Sequence, residues 1–350
     1  MGKNKSAHIL VIRLSAMGDV AMTVPVLLNL MRQYPELKIT VLTKPFFATI
    51  FSDVPNVNVH RADVKGCHKG ILGLFKLYRE LNKLDLDMVA DVHHVLRSTV
   101  LKQFFRFSRI PFVQIDKGRA EKKALTRPDR AVFQPLKTTF QRYADVFEKL
   151  GYPLELKKDA VLPKRQLSSK LSPIVHSEGK WLVGIAPFAA FEGKMYPSSL
   201  MEDVIRQLND TNKYKIILFG GGEKEREILD IWKNQFKNTI NAAGNYSFSD
   251  ELSLISNLDI MVAMDSGNAH LAAMYGISTL TLWGVTHPFA GFYPFGQPEK
   301  NALLSDRRRY PQIPTSIYGN KYPPGYGNVM DTILPKEVIQ KIMEILKDSI

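Results

Sequence analysis

Four short segments contain the residues whose types and spacing could do chemistry, and each follows an apolar run. They are Arg13-Leu-Ser-Ala-Met-Gly-Asp19, Asp265-Ser-Gly-Asn-Ala-His270, Ala186-Pro-Phe-Ala-Ala-Phe-Glu-Gly-Lys194 and Phe219-Gly-Gly-Gly-Glu223. In the first segment, Gly18 lets a ligand approach the backbone closely. Asp19 is either a general base or a residue that caps the following helix. The segment is neither a dinucleotide fingerprint nor a P-loop, because it lacks G-x-G-x-x-G and G-K-[ST].

The segment that begins at Asp265 predicts a binding site for a diphosphate. An apolar run leads into Asp265, Ser266 and Gly267, and a helix is predicted to begin at once. Backbone amides at such a helix N-terminus bind anions. Asp265 could bind sugar hydroxyls, whereas His270, one turn further on, faces either the ligand or the core.

The other two segments are typical of a nucleotide site. Lys194 follows a glycine in a predicted loop, where it serves as a mobile positive charge for an anionic ligand or as a solvated surface lysine. Glu223 follows three glycines. It either holds ribose hydroxyls or occupies the first turn of a helix.

Several classes of protein and site fit poorly. Ser266 lies in D-S-G and not in the G-x-S-x-G of serine hydrolases. His93 and His94 are adjacent at a strand end and point to opposite sides, which disfavours a metal site. Cys67 is the single cysteine, so disulfides and structural zinc are not expected and a reducing cytoplasm fits. No apolar run approaches the ~18 residues of a membrane span, and the N-terminus does not resemble a signal peptide.

The charge distribution predicts an anionic partner. The chain has a formal net charge of +13, with +15 in residues 1–175 and −2 in the remainder. A nucleic acid, a phosphorylated lipid or an acidic sugar would suit such a surface, and a purely solubilising role is the alternative. The densest basic stretch is 117–130, which includes Arg119, Lys122 and Lys123.

Apolar runs and amphipathic stretches alternate in two series, which predicts two α/β units with parallel sheets. Residues 151–178, rich in Pro, Lys and Ser, are the predicted linker, and 305–328 is a predicted surface loop. Strands are predicted at 8–13, 38–43, 86–91, 111–115, 181–186, 215–219, 259–263 and 278–282. Helices are predicted at 19–34, 71–84, 95–107, 138–150, 198–208, 223–236, 249–256, 268–275 and 335–347.

The ordered set of motifs resembles glycosyltransferase family 9, the heptosyltransferases of lipopolysaccharide core synthesis. The matching segments are Ile12-Arg-Leu-Ser-Ala-Met-Gly-Asp-Val20 with Thr23-Val-Pro-Val-Leu27, Asp91-Val-His-His-Val-Leu-Arg-Ser98, and Asp265-Ser-Gly-Asn-Ala-His-Leu-Ala-Ala273 with Thr281-Leu-Trp-Gly-Val-Thr-His-Pro288. They cover the chain from about residue 8 to residue 295 in the family's order.

The resemblance implies a GT-B fold, in which two Rossmann-like domains with parallel sheets face each other across a cleft. The expected domains are 1–165 for the acceptor and 166–334 for the nucleotide sugar, followed by a C-terminal helix at 335–350. It implies an inverting transfer from an ADP-activated heptose to an acidic glycolipid, without a cofactor or an obligate metal. The implied catalytic residues are Asp19, as general base, and Lys194. The implied donor-binding residues are Gly18, Glu223, Asp265, Ser266, Gly267 and His270, and the implied acceptor-binding residues are His93, Arg97, Arg119, Lys122 and Lys123.

The expected location is the cytoplasm, with peripheral contact at the inner membrane surface and no nucleic-acid partner. Two alternatives stay open at this point. One is a sugar-nucleotide epimerase or hydrolase of the same architecture, and the other is a non-catalytic binder of nucleotide sugars or nucleic acid.

Overall fold

The chain forms two compact units, each built on its own parallel sheet. The computed structural model describes residues 6–176 and 179–348. Unit 1 comprises residues 1–117 and 139–162, and unit 2 comprises residues 118–138 and 163–350. The sequence boundaries placed 118–138 in the first domain and set the C-terminal helix apart, whereas the structure groups both with unit 2.

The sheet of unit 1 has five parallel strands in the order β3-β2-β1-β4-β5. The strands are β1 (His8–Ile12), β2 (Lys38–Thr43), β3 (Val57–Arg61), β4 (Met88–Asp91) and β5 (Phe112–Gln114). Central strands of such a sheet are covered on both faces and therefore read as continuous apolar runs. The run Ile9 to Ile12 is accordingly almost completely buried.

The helices of unit 1 cover this sheet with their apolar sides. They are α1 (Met17–Ala21), α2 (Thr23–Gln33), α3 (Gly70–Leu81), α4 (Leu96–Phe107) and α6 (Thr139–Lys149). Helix α3 shows the pattern clearly, since Leu74, Leu77 and Leu81 recur at helical spacing and are buried in the core with Leu101 and Phe105 of α4.

The sheet of unit 2 has six parallel strands in the order β11-β10-β9-β6-β7-β8. The strands are β6 (Trp181–Ala186), β7 (Tyr214–Leu218), β8 (Thr239–Asn241), β9 (Ile260–Met264), β10 (Ser278–Trp283) and β11 (Ala302–Leu304). The helices are α5 (Arg119–Leu125), α7 (Ser172–Val175), α8 (Ser198–Asp210), α9 (Glu223–Gln235), α10 (Phe248–Ile255), α11 (Gly267–Ala273) and α12 (Pro335–Lys347). Helix α12 completes the core of this unit through Val338, Ile342, Ile345 and Leu346.

The structure confirms every predicted strand and most predicted helices, with differences at the sheet edges. Strands β3, β8 and β11 are edge strands and were not predicted. The sequence of β3 is half-exposed and mixed in polarity, and β8 and β11 have only three residues each. The predicted helix at 19–34 is two helices, α1 and α2. Because α1 begins at Met17, Asp19 lies in its first turn and does not open it.

Residues 118–138 carry much of the basic charge into unit 2. The Arg130 guanidinium donates to the main-chain oxygens of Pro311, Gln312 and Ile313, and Leu136 N donates to Phe289 O at 2.9 Å. Counted by structural unit, the formal charge is +8 in unit 1, from 21 basic and 13 acidic residues, and +5 in unit 2, from 26 and 21. The strong contrast between the two halves of the sequence is therefore much weaker in the fold.

Candidate active site

The carboxyl edge of the unit 2 sheet has a switch point between β9 and β6. From β6 the chain continues to β7 on one side, and from β9 it continues to β10 on the other. Ligands of open α/β sheets bind in the crevice outside such a point. Asp265 directly follows β9, and Lys194 lies in the loop after β6. Both predicted residues are therefore brought to this crevice.

Asp265 and Lys194 form an ion pair there. Lys194 Nζ lies 3.4 Å from Asp265 Oδ2, and the two side chains are only 14% and 9% exposed. The Thr286 hydroxyl donates a hydrogen bond to the same Oδ2 atom at 2.9 Å. A lysine ammonium has three N–H donors, so the contact with Asp265 orients it while leaving donors for an anionic ligand.

Close backbone packing fixes the position of Lys194. Val285 N donates to Gly193 O at 2.8 Å, and a Cβ atom on Gly284 would lie 2.2 Å from that same oxygen. Gly319, in the left-handed region at φ +80°, lies so near that a Cβ would stand 2.4 Å from Lys194 Cγ. The predicted surface loop at 305–328 has no regular helix or strand, yet it packs against the lysine of the site.

The start of α11 supplies further groups beside Asp265. Ser266 precedes the helix, and its Oγ atom is buried without a hydrogen-bond partner among residues 6–176 and 179–348. A buried hydroxyl in that state is uncommon in folded proteins. Gly267 is the first residue of the helix, whereas His270 is buried on it at 8% exposure.

The glycine-rich turn after β7 borders an open pocket of about 370 Å³. Gly222 and Glu223 line this pocket together with Arg226, Ala243 and Gly244. Glu223 is exposed at the first position of α9. Its carboxylate is exposed at the border of this pocket, and its place in the first turn of the helix is the alternative that the sequence also allowed.

Unit 1 has an equivalent switch point between β1 and β4, and a second charged pair lies there. The Arg13 guanidinium forms an ion pair with the Asp19 carboxylate, with side-chain exposures of 7% and 29%. Arg13 Nη1 also donates to Val92 O at 2.7 Å, and Ala16 N donates to Asp19 Oδ2 at 3.4 Å. Ala16 is the N-cap of α1, so Asp19 is not the cap itself but the residue at the third helical position that bonds back to it. Its carboxylate is partly exposed. Gly18 precedes it in the same short helix.

The turn after β4 is organised by Asp91, which is fully buried. Its Oδ1 atom accepts from the main-chain nitrogens of His93 and His94, and its Oδ2 atom accepts from Gln114 Nε2 at 2.9 Å. His93 Nδ1 accepts from Leu14 N at 3.4 Å. Burial, reinforced by the positive charge of Arg13, lowers the pKa of His93 to about 3. The imidazole is therefore neutral at pH 7, with its ring proton on Nε2.

The predicted acceptor-binding residues fall into two groups. His93 is buried in unit 1, and Arg97 is exposed in the first turn of α4. Arg119, Lys122 and Lys123 belong to α5 of unit 2 and not to the first domain. Arg119 and Lys123 are exposed, whereas Lys122 is 8% exposed with its Nζ 4.1 Å from the centre of the Phe292 ring.

Two residues of the charged clusters were not assigned from the sequence, namely Arg13 and Thr286. Arg13 directly follows β1, and Thr286 lies shortly after β10. Position at a strand end was the available signal for both. The contact of Arg13 with Val92 O spans 79 residues of chain and that of Thr286 with Asp265 spans 21, and a linear pattern does not show such contacts. The partner through which Arg13 would act, Asp19, lies in the same short segment.

The described parts of the chain contain neither a cluster of metal ligands nor a membrane-spanning helix. No group of three His, Cys, Asp or Glu side chains among residues 6–176 and 179–348 could hold a metal ion. No helix in those same residues is long and apolar enough to cross a membrane.

Solved structures show the class to which this architecture belongs. A glycosyltransferase family 9 protein from Veillonella parvula is 20% identical, with a TM-score of 0.75 and coverage of 99% of each chain. E. coli ADP-heptose lps heptosyltransferase II is 19% identical, with a TM-score of 0.68 over 98% of this chain and 99% of that one. Two parallel-sheet, Rossmann-like units of this kind are the GT-B fold.

Sequence comparison identifies the family. The model of glycosyltransferase family 9 (heptosyltransferase) matches residues 74–317, and the chain belongs to that family. It is a glycosyltransferase. It is similar to Lipooligosaccharide heptosyltransferase 2 of Campylobacter jejuni, with 22% identity over 95% of this chain and 96% of that protein. It is also similar to Lipopolysaccharide core heptosyltransferase OpsX of Haemophilus influenzae, with 24% identity over 79% of each.

Proposed function

We propose that this enzyme transfers a heptose from ADP-heptose to the core of a lipopolysaccharide acceptor, with inversion at the anomeric carbon. The observation that carries the proposal is the cluster of Lys194, Asp265 and Thr286 at the switch point of unit 2. Membership of the family supports heptose as the sugar. A structural neighbour, the E. coli heptosyltransferase WaaC, was solved with ADP, which supports the nucleotide.

In this proposal unit 2 binds the donor. Lys194 contacts the diphosphate, and Asp265, which already orients the ammonium, accepts hydrogen bonds from sugar hydroxyls. The Ser266 hydroxyl and the amide of Gly267 donate to phosphate oxygens. Glu223 binds the ribose in the open pocket beside the glycine-rich turn.

The reaction forms one bond at the anomeric carbon and breaks another. The acceptor oxygen attacks that carbon, the bond to the phosphate oxygen breaks, and ADP leaves with the bonding electron pair. Negative charge therefore grows on the leaving phosphate. Lys194 stabilises this charge more in the transition state than in the ground state, which is the requirement for catalysis.

Asp19 takes the proton of the acceptor hydroxyl as the new bond forms. Its carboxylate is partly exposed, and the ion pair with Arg13 fixes its direction. Arg13 is itself held by Val92 O. Arg13 is thus a positioning residue, because it acts through Asp19.

The acceptor is expected to carry phosphate. Arg97, Arg119 and Lys123 are exposed cations that would bind such groups. His93, neutral at pH 7, would donate a hydrogen bond from Nε2 and contribute no charge. Lys122, packed on Phe292, would support the α5 segment that presents Arg119 and Lys123.

We further propose that the enzyme works in the cytoplasm at the inner membrane and needs neither cofactor nor metal. The positive charge that a metal would supply at the diphosphate is provided here by Lys194. Turnover is therefore expected to persist in the presence of a chelator.

Binding of nucleotides tests the donor assignment. We expect ADP and ADP-heptose to raise the melting temperature, and UDP and GDP to leave it unchanged. A ligand at 100 times its dissociation constant adds about 2.7 kcal/mol, which corresponds to a shift of several degrees for units of this size. A response to UDP or GDP alone would overturn the assignment of ADP-heptose as the donor. Release of ADP from ADP-heptose as fast without an acceptor as with one would indicate a hydrolase.

A further inference from the structure

The outer side of α3 and α4 in unit 1 has a cluster of large apolar side chains in contact with water. Ile71 is 70% exposed, Leu72 84%, Phe75 46% and Phe107 84%. The opposite sides of the same helices supply Leu77 and other residues to the core. These exposures are unusual because the outer side of such an amphipathic helix is normally polar. Burial of Leu77 explains why the inner side of α3 is apolar. It does not explain why the outer side of the same helix is apolar as well.

The exposed residues form one continuous patch. Ile71 and Phe75 are four residues apart on α3, so their side chains are neighbours on the helix surface. The Phe75 ring lies 5.4 Å from that of Phe104 on α4, in an edge-to-face contact. Phe104 and Phe107 are three residues apart and share a face of α4. We name Ile71, Leu72, Phe75, Phe104 and Phe107 the apolar patch.

Positive charge surrounds the apolar patch. Helices α3 and α4 together carry five Lys and Arg residues and one acidic residue, Glu80. The Glu80 carboxylate is already paired with His60 and His68, and these histidines hold the pKa of Glu80 below its ordinary value. Lys76, Arg79, Arg97 and Arg106 are exposed.

We propose that the apolar patch and its cations dock unit 1 onto an anionic lipid surface. Exposed apolar side chains with Lys and Arg at their border are the combination with which amphipathic helices lie in the interface of an anionic bilayer. The proposal rests on the proposed function only in that a lipid-linked acceptor gives the docking its use. The surface itself is argued from its own side chains.

Charge makes a second copy of the chain a poor occupant. A symmetric dimer through this surface would bring each patch against its own copy. Lys76, Arg79 and Arg106 would then approach the corresponding group of cations on the other copy, and like charges facing each other across an interface oppose association.

Co-sedimentation of the full chain with lipid vesicles tests the docking. We expect binding to vesicles that contain phosphatidylglycerol, weak binding to pure phosphatidylcholine, and a strong loss of binding between about 0.1 M and about 0.5 M salt. Arg79→Gln and Arg106→Gln should each weaken binding about fivefold. Leu72→Ser combined with Phe107→Ser should weaken it roughly a hundredfold.

Matched substitutions in unit 2 serve as controls. Ile231 on α9 is 62% exposed, and Lys237 is exposed beyond that helix. Ile231→Ser and Lys237→Gln should bind vesicles like the unchanged protein. The proposal is overturned if the patch variants bind as well as these controls, or if the unchanged protein binds neither kind of vesicle. It is equally overturned if sedimentation shows a dimer that the patch variants dissociate.

The outcome is separable from that of the proposed function. The patch variants should keep full transfer to an acceptor freed of its acyl chains, because none of the substituted residues belongs to the charged clusters. Vesicle binding without any response to ADP would sink the proposed function and leave the docking surface intact. A response to ADP without vesicle binding would overturn the docking surface and leave the proposed function intact.

Discussion

Replacing Asp19 by Asn separates its proposed chemistry from its structural contacts. The amide oxygen of Asn can still accept from Ala16 N, as Asp19 Oδ2 does at 3.4 Å, but an amide cannot take up a proton at neutral pH. Loss of a general base lowers kcat by about 10²–10⁴-fold, equivalent to roughly 3–5 kcal/mol in the barrier. The affinity for ADP should be unchanged, because the side chains proposed to bind ADP, Lys194, Ser266 and Glu223, lie in unit 2.

The same substitution has a calculable cost in stability. It leaves the buried Arg13 guanidinium with Val92 O but without its charged partner. Breaking a fully buried ion pair costs roughly 3–5 kcal/mol. Asp19 is 29% exposed, so water offsets part of the loss and about 1–3 kcal/mol is expected.

Kinetics and urea unfolding of Asp19→Asn and Asp19→Ala provide the assay. Both variants should lose kcat to a similar extent, and Asp19→Ala should be the less stable because it also loses the contact with Ala16 N. An Asp19→Asn enzyme that keeps kcat within about threefold would refute the assignment of the general base, since even the weakest such effect is about a hundredfold.

Three further predictions concern the remaining parts of the two sites. Thr286→Val removes the hydroxyl that bonds to the carboxylate of the unit 2 cluster, and should weaken ADP binding by about 1 kcal/mol while Thr286→Ser does not; equal titration curves for both variants would count against the cluster. Gly319→Ala should displace the Lys194 side chain and lower ADP affinity, whereas Gly325→Ala, at a similar φ of +83° with nothing within 4 Å of the added Cβ, should cost only stability; the account fails if both variants bind ADP equally well. The pKa of His93 is lowered to about 3 from an ordinary 6.5, so below pH 6.5 the unfolded chain takes up a proton that the folded chain refuses. As the pH falls from 6 to 4, the free energy of unfolding of the unchanged protein should therefore decrease by about 1.4 kcal/mol per pH unit relative to that of His93→Gln. Urea unfolding measures this difference, and parallel pH profiles for the two proteins would contradict it.

The central strands of each sheet could be predicted from the sequence, because parallel strands that are buried on both faces are continuous apolar runs. Runs such as Ile9 to Ile12 cannot be placed at a surface, and their alternation with amphipathic helices allows few topologies. The edge strand β3 was missed for the opposite reason. Val57-Asn-Val-His-Arg61 is half-exposed, so burial of its own side chains does not indicate a strand. It is a strand because its backbone pairs with β2.

The candidate sites were predicted as residues and not as contacts. Asp265 and Lys194 were singled out because both were expected at the carboxyl ends of strands, and the strand order brings those ends together. The role of Gly319 could not be predicted, because a loop without periodicity gives no sign that it packs against Lys194. The position of Lys122 in unit 2 was hidden too, since membership of a unit depends on contacts distant in the chain.

The most direct measurement is transfer itself, followed by the mass of the acceptor. The enzyme would be incubated with ADP-heptose and a lipopolysaccharide acceptor that lacks its outer heptose, with and without a chelator. The account predicts that the acceptor gains the mass of one heptose, that ADP is released in equal amount, and that release needs the acceptor. An acceptor of unchanged mass, with ADP released at the same rate in its absence, would contradict it.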